Sequence, residues 1–244
     1  MNKNQNMWPI KNFNNYLWVI EEIIWKIDVS WKKEYILPLY RWQSEDFPLL
    51  PSIARMHPEI NTSINEKKSI EELKRRSGLL LWNNYENNWD LLVLIQHHWL
   101  KTRLLDWTTN PLVALWFACN NEKKRDQDSY VYIFLATEDY ILDDKLKQDP
   151  WELSSTKILK PNQNNNRIIA QSGWFTAHPF SSTAKKFVNL TTHRLYWGNV
   201  FKLRIPANQK EDILKKLNIF GINFQSMFPD LEWFCKQINW EFNL

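Results

Sequence analysis

Glycine is nearly missing from this chain, with 4 in 244 residues, where soluble proteins average about 7%. Turns and close approaches to a ligand normally draw on glycine, because it alone takes positive φ at no steric cost. No glycine-rich phosphate loop and no Gly-X-Ser-X-Gly elbow occurs, so the sequence signals for a P-loop and for an α/β-hydrolase serine are absent. Cysteine is equally scarce. Cys119 and Cys235 stand far apart without Cys-X-X-Cys spacing, which excludes a disulfide framework or zinc ribbon. Both have aromatic or aliphatic neighbours and are expected to be buried thiols in a reducing compartment. No apolar run is long enough to span a bilayer, and MNKNQNMWPIKNFNN contains no apolar core of a secretory signal. A cytoplasmic location without a membrane partner is expected. Neither charge sign dominates: 31 basic residues against 27 acidic give a net +4. The lysines and arginines are scattered through KKEY, EKK, ELKRR and KKL, the pattern of solvated surface and not of a nucleic-acid patch.

What the chain has in excess is tryptophan, 15 residues. Apolar residues at helical spacing predict a helix over 13–26, and β-branched and aromatic runs predict strands over 35–42, 130–136 and 199–205. A helix over 69–81 is expected from Ser69 as cap with Glu72 completing a capping box, and another over 208–217 from Asn208 with Glu211. Trp89 to Leu100 reads as a helix with a polar end. LLDWTTNPLVALWFACN reads as a turn followed by an apolar helix, with Pro111 in its first turn and Asn110 or Thr109 as its cap. The segment 139–163 reads as a polar loop with short helices. No internal repeat occurs. Helices and strands interleave as in a single α+β domain, a small mixed or antiparallel sheet flanked by helices.

The densest polar cluster in apolar surroundings is QHHWLKTRLLDW, which carries Gln96, His97, His98, Arg103 and Asp106. An aspartate fixes a histidine tautomer, and an arginine clamps phosphate or carboxylate with two parallel hydrogen bonds. The competing assignment pairs Arg103 with Asp106 as a structural tie. Of His97 and His98, one is expected in the core and the other at a site. These histidines and the distant His178 lack a His-Glu-X-X-His motif or a nearby cysteine pair, so no metal site is expected.

The segments LYRWQ, LLPSIAR, LIQHHWLKTRLLDWTTNPLVALWFA, YVYIF, RIIAQSGWFTAHP and FPDLEWFCK resemble, in order, the motifs of the FRG domain. The resemblance runs from Leu39 to Lys236 and divides the chain into an N-terminal helical segment, 1–34, packed on a domain of 35–240. It implies a bacterial or phage-associated cytoplasmic protein. A more remote likeness is to ADP-ribosyltransferases. LYRWQ is similar to their first dinucleotide motif and NPLVALWFA to their second block, which implies an ADP-ribosyltransferase-like fold and NAD as substrate. In that frame Tyr40, Arg41, Gln43, Gln96, His97, Arg103, Asn110 and Thr176 are the candidate ligand-binding residues. His98, Asp106, Gln171 and His178 are the candidate catalytic ones. Gln171 stands where those enzymes carry glutamate.

Three departures share one form. Trp42, Trp99 and Trp233 stand where the FRG motifs have glycine, whereas Trp89 and Trp107 fall where the family also has tryptophan. UGA encodes tryptophan in some bacterial codes and glycine in others, and the Asn, Lys and Ile richness fits an A/T-rich genome. Tryptophan in place of recoded glycine therefore accounts for both abnormal counts; a divergent tryptophan-rich relative is the alternative. Three function classes follow. The first is a nucleotide-handling effector that transfers ADP-ribose from NAD or cleaves NAD, in phage defence or a toxin system. The second is a non-catalytic module for a nucleotide or phosphorylated ligand. The third is a hydrolase or nuclease using His97 or His98 with Asp106.

Overall fold

The computed structural model describes residues 7–30, 36–81, 85–142, 148–192 and 199–242. In chain order the elements are β1 (Met7–Pro9), α1 (Phe13–Ser30), β2 (Ile36–Gln43), α2 (Ser63–Arg76), α3 (Gly78–Leu81), α4 (Asn88–His97), β3 (Leu104–Thr108), α5 (Pro111–Cys119), β4 (Ser129–Thr137), β5 (Lys157–Leu159), α6 (Asn166–Ala170), β6 (Gly173–Ala177), β7 (Phe180–Ser181), β8 (Lys186–Phe187), β9 (Val200–Ile205), α7 (Lys210–Ile219), α8 (Phe224–Met227) and α9 (Leu231–Phe242). Tyr35, the expected start of β2, and residues 143–147 of the expected 139–163 loop lie outside the described residues.

The fold is α+β. Seven strands form one sheet in the order β1-β9-β4-β2-β3-β6-β5, and β7 and β8 form a separate hairpin. Among the described strands β1 pairs with β9 in parallel and the other strand pairings of the large sheet are antiparallel; an isolated parallel bridge joins Ile141 to Ile158 of β5. Period-two alternation sorts each strand's side chains onto two faces. On one face Tyr40, Val131, Ile133, Leu203 and Ile205 pack under α1, α5 and α7. Beside them Leu104, Leu159, Phe175 and Ala177 pack under α4, with Ile70 of α2 and Ile168 of α6. On the opposite face Leu39, Leu105, Trp107, Tyr132 and Phe134 form a third cluster with Leu49 and Leu190. The helical face thus has two separate cores, and the boundary between them runs over β2 and β3.

Several local expectations change. LLDWT is the strand β3 and not a turn; a short apolar run has no period to distinguish it from the helix that follows. The helix expected at 69–81 begins at Ser63 and ends at Arg76, so Ser69 lies in its interior and its hydroxyl donates to the Glu66 carbonyl at 2.7 Å. Asn208 sits in a single 3-10 turn ahead of α7 and does not cap it. Cys119 is buried as expected, but Cys235 is exposed, because α9 turns Gln237 and not its cysteine inward. The α5 cap holds: the Asn110 side chain accepts from the backbone N–H groups of Leu112 and Val113, with Pro111 in the first turn.

Candidate functional site

A cleft opens where the two cores meet. β2 pairs with β4 along its whole length, but with β3 only through Tyr40 opposite Thr108. Beyond that position the strands part, and a cavity of about 490 Å³ lies over the gap, lined by Trp42, Asp106, Thr108 and Phe117 among others. Arg41 bridges the gap. Its neighbours Tyr40 and Trp42 face the helical side, so alternation sends Arg41 the other way, and its guanidinium reaches across the seam. Nη1 donates to the Asp106 backbone carbonyl at 2.5 Å and lies 3.6 Å from the Asp106 carboxylate. A side-chain donor thus supplies the ladder bond that the diverging strands cannot make.

The Asp106 carboxylate is held from a second side. The Leu104 N–H donates to the Thr102 hydroxyl at 3.1 Å, that hydroxyl donates to Gln96 Oε1, and Gln96 Nε2 donates to Asp106 Oδ1 at 2.8 Å. The chain of donors fixes the amide orientation of Gln96 and aims an N–H at the carboxylate. The Asp106 side chain is still 43% exposed, so it is oriented but open to the cleft. Burial lowers the pKa of Arg41 to about 10, with Asp106 opposing the shift and the Arg55 charge adding to it; Arg41 stays charged at neutral pH. Arg55 also lines the cleft, and its Nε is buried without a hydrogen-bond partner among the described residues.

The other wall is aromatic. The rings of Trp42 and Phe117 stack at 4.1 Å with 13° between planes, and Phe117 meets Phe228 edge-on at 5.8 Å. Arg167 lies over the Phe228 ring at 5.3 Å and forms a half-exposed 3.3 Å ion pair with Asp230. Gln171 lines the cleft as well, with its Nε2 donating to the Met227 carbonyl at 3.2 Å. Among the described residues no three His, Cys, Asp or Glu side chains gather as a metal-holding group, and no helix is long and apolar enough to cross a membrane.

Residues 38–127 match the family model of the FRG domain. This segment is an FRG domain. No curated protein and no solved structure matches the chain. The FRG segment holds Trp42, Arg55, Gln96, His97, Asp106 and Phe117, the sheet-seam side of the cleft. Arg167, Gln171 and Phe228 are among the lining residues that come from beyond it.

The other residues singled out by sequence lie elsewhere. Arg103 does not pair with Asp106. Its Nε donates to Glu66 Oε2 at 2.7 Å and its Nη1 to the Pro150 carbonyl at 2.8 Å, and both side chains of the pair are 1% exposed. Three residues cannot bring the two together, because Arg103 and Asp106 lie on or beside the same extended strand, about 3.3 Å per residue apart. His178 is enclosed. The Trp107 indole N–H donates to the Thr176 hydroxyl at 2.9 Å, Thr176 lies 2.9 Å from His178 Nε2, and His178 Nδ1 lies 3.0 Å from the Val188 carbonyl. That carbonyl can only accept, so Nδ1 carries a proton, and in the neutral ring Nε2 accepts from the Thr176 hydroxyl. Burial holds its pKa down to about 4, with the Arg41 charge acting in the same direction. Tyr40 belongs to the core under α5, Gln43 is buried at the end of β2, and Asn110 is occupied as the α5 cap. His97 lines the cleft, with Nε2 buried and without a hydrogen-bond partner among the described residues and its pKa lowered by burial. His98 is exposed at the end of α4 and is not among the lining residues. Glu66, Arg55, Phe117 and Phe228 were not singled out by sequence. Glu66 looks like one more charge on the surface of a Lys- and Glu-rich helix, and the others fall in segments whose spacing says nothing of the cleft.

The tryptophan substitutions also separate. Trp99 has φ 67° and is 92% exposed, a conformation that favours glycine. Trp42 sits inside β2 opposite Val131 and not at a turn, and Trp233 lies in the first turns of α9, stacked on Phe228 at 3.9 Å. Neither is among the residues with positive φ.

Proposed function

We propose that the cleft binds a nucleotide, with NAD as the substrate to test first. The observation that carries this reading is the pairing of an aromatic wall, Trp42, Phe117 and Phe228, with the Arg55 guanidinium in one cavity, its buried Nε without a hydrogen-bond partner among the described residues. Planar bases stack on aromatic rings, and guanidinium groups bind phosphates with two parallel hydrogen bonds. The cavity volume lies in the range of small-molecule sites. Asp106 is the carboxylate that faces the cavity. If NAD is cleaved, the bond from the nicotinamide nitrogen to ribose C1′ breaks, nicotinamide leaves with the electron pair, and water adds to C1′ and releases a proton. A fixed carboxylate stabilises the positive charge that develops on the ribose in such a step. This is the role assigned to Asp106, with Gln96 and Arg41 as positioning residues.

A second reading, binding without turnover, draws support from Gln171: a neutral amide already bonded to Met227 stands where the transferase likeness expects glutamate. Calorimetric titration of NAD together with a nicotinamide-release assay separates the two. Binding with release supports the enzyme, and binding without release supports the module. Absence of binding at millimolar NAD, or binding unchanged by Arg55→Ala, overturns both.

A further inference from the structure

The cleft's aromatic wall contains a ring already stacked upon by another ring. Trp42 and Phe117 lie nearly parallel at 4.1 Å, the separation and tilt of stacked aromatic planes. Phe117 does not depend on that partner for its orientation. Trp116 meets it edge-on at 5.0 Å and 82°, and Phe228 meets it edge-on at 5.8 Å and 88°. Two perpendicular neighbours therefore fix the Phe117 plane, and one face of the ring is covered by the Trp42 indole from β2, in a cavity that both residues line. Trp42 itself is only partly buried and lines the same cavity as Arg55 and Asp106.

We infer that the face of Phe117 is the ring-binding subsite of the cleft and that the Trp42 indole covers it in the free protein, in the place of a ligand's heteroaromatic ring. This deepens the nucleotide reading and rests on it for the anionic half of the ligand: the ring exchanges with the indole on Phe117, and the phosphate goes to Arg55. The chain is then a self-capped binder, whose affinity for planar rings is set by the competition between its own indole and the ligand.

The test titrates adenosine, AMP and NAD into the wild-type chain and into Trp42→Gly, Trp42→Val, Phe117→Leu, Arg55→Ala and Trp42→Val/Phe117→Leu. Valine keeps β propensity where glycine weakens a strand, so Trp42→Val decides the matter if Trp42→Gly does not fold. The affinities of the Trp42 variants for adenosine and AMP are expected to rise at least about tenfold over wild type, and Phe117→Leu is expected to abolish the gain. A folded Trp42→Val that binds both rings no better than wild type overturns the inference, and so does a gain that survives Phe117→Leu. Phe117→Leu alone, in which the indole loses its stacking partner, should not improve AMP binding; a tenfold improvement there also overturns it. The two proposals fail separately. NAD binding that depends on Arg55 without any gain from Trp42→Val leaves the nucleotide reading and removes the capped subsite. A gain for adenosine with no Arg55-dependent NAD binding keeps the subsite and removes NAD.

Discussion

Arg103 with Glu66 and Arg41 with Asp106 are two arginine–carboxylate pairs one strand apart, and they differ in who can reach them. In the first, both side chains are 1% exposed, and Trp151 donates a further hydrogen bond to Glu66 at 3.1 Å. In the second, the arginine is buried and the carboxylate is 43% exposed. A charge pair that is closed on all sides can only hold elements together, here α2 to the start of β3. A pair with one open oxygen leaves a fixed charge facing a cavity. Residue type does not distinguish them, and neither does closeness in sequence; access does.

The sharpest way to break this comparison is to remove one partner of the closed pair. Arg103→Ala or Glu66→Ala strands a charge in the interior, and a loss of about 3–5 kcal/mol in urea-unfolding free energy is expected. If either variant unfolds like wild type, the pair is not the tie described. The enclosed His178 should follow the same logic with pH. Its pKa is depressed from 6.5 to about 4, so the unfolded chain takes up the proton first as pH falls. The neutral ring's contribution is therefore fully present above pH 6.5 and is lost between about 6.5 and 4, by roughly 3 kcal/mol in all. Urea midpoints measured through that window should fall, and His178→Gln should flatten that part of the profile. A profile unchanged by the substitution would assign the acid sensitivity to other groups.

The open pair is expected to respond in the opposite sense. Asp106→Asn should cost clearly less than Glu66→Ala, because the carboxylate is 43% exposed and buried Arg41 keeps its bond to the Asp106 backbone carbonyl. If the cleft turns over NAD, the same substitution should lower nicotinamide release by roughly a hundredfold through loss of charge stabilisation. Destabilisation as large as that of Glu66→Ala would erase the distinction between the pairs.

The sequence already carried the fold class, the α5 cap at Asn110 and Pro111, and the polar cluster from Gln96 to Asp106. It could not carry the partition of that cluster. The partner of Arg103 lies on α2, far back in the chain, and only the strand β3, which looks like part of a helix entrance, separates the enclosed Arg103 from the open Asp106. The parting of β2 from β3 is a tertiary event with no local signature, so the cleft itself was not legible. The aromatic wall was hidden for the same reason: Trp42, Phe117 and Phe228 come from a strand and two segments distant in sequence, and nothing in their spacing brings the three together.

The contrast between closed and open positions recurs at the tryptophans. Trp89 and Trp107 are 1% exposed, and their indole N–H groups donate to the Gln148 carbonyl at 2.7 Å and to Thr176 at 2.9 Å. Replacing either with glycine empties a large core site and should cost at least about 3–5 kcal/mol. Trp99 is 92% exposed and holds φ at 67°, where an L side chain costs about 1–2 kcal/mol. Trp99→Gly should therefore stabilise the fold, by about 1 kcal/mol after the added freedom of the unfolded chain is set against the relieved strain, and urea midpoints will measure it. The recoding reading adds a check at the level of the gene: UGA at Trp42, Trp99 and Trp233, and UGG at Trp89 and Trp107. UGG at the first three ends that reading and leaves Trp42 as a genuine tryptophan. UGA there, in an organism that reads it as glycine, means that the natural chain has glycine at position 42 and no indole on Phe117. A Trp99→Gly variant less stable than wild type would show that the exposed indole makes a contribution its surroundings do not explain, and would remove the conformational argument for glycine at that turn.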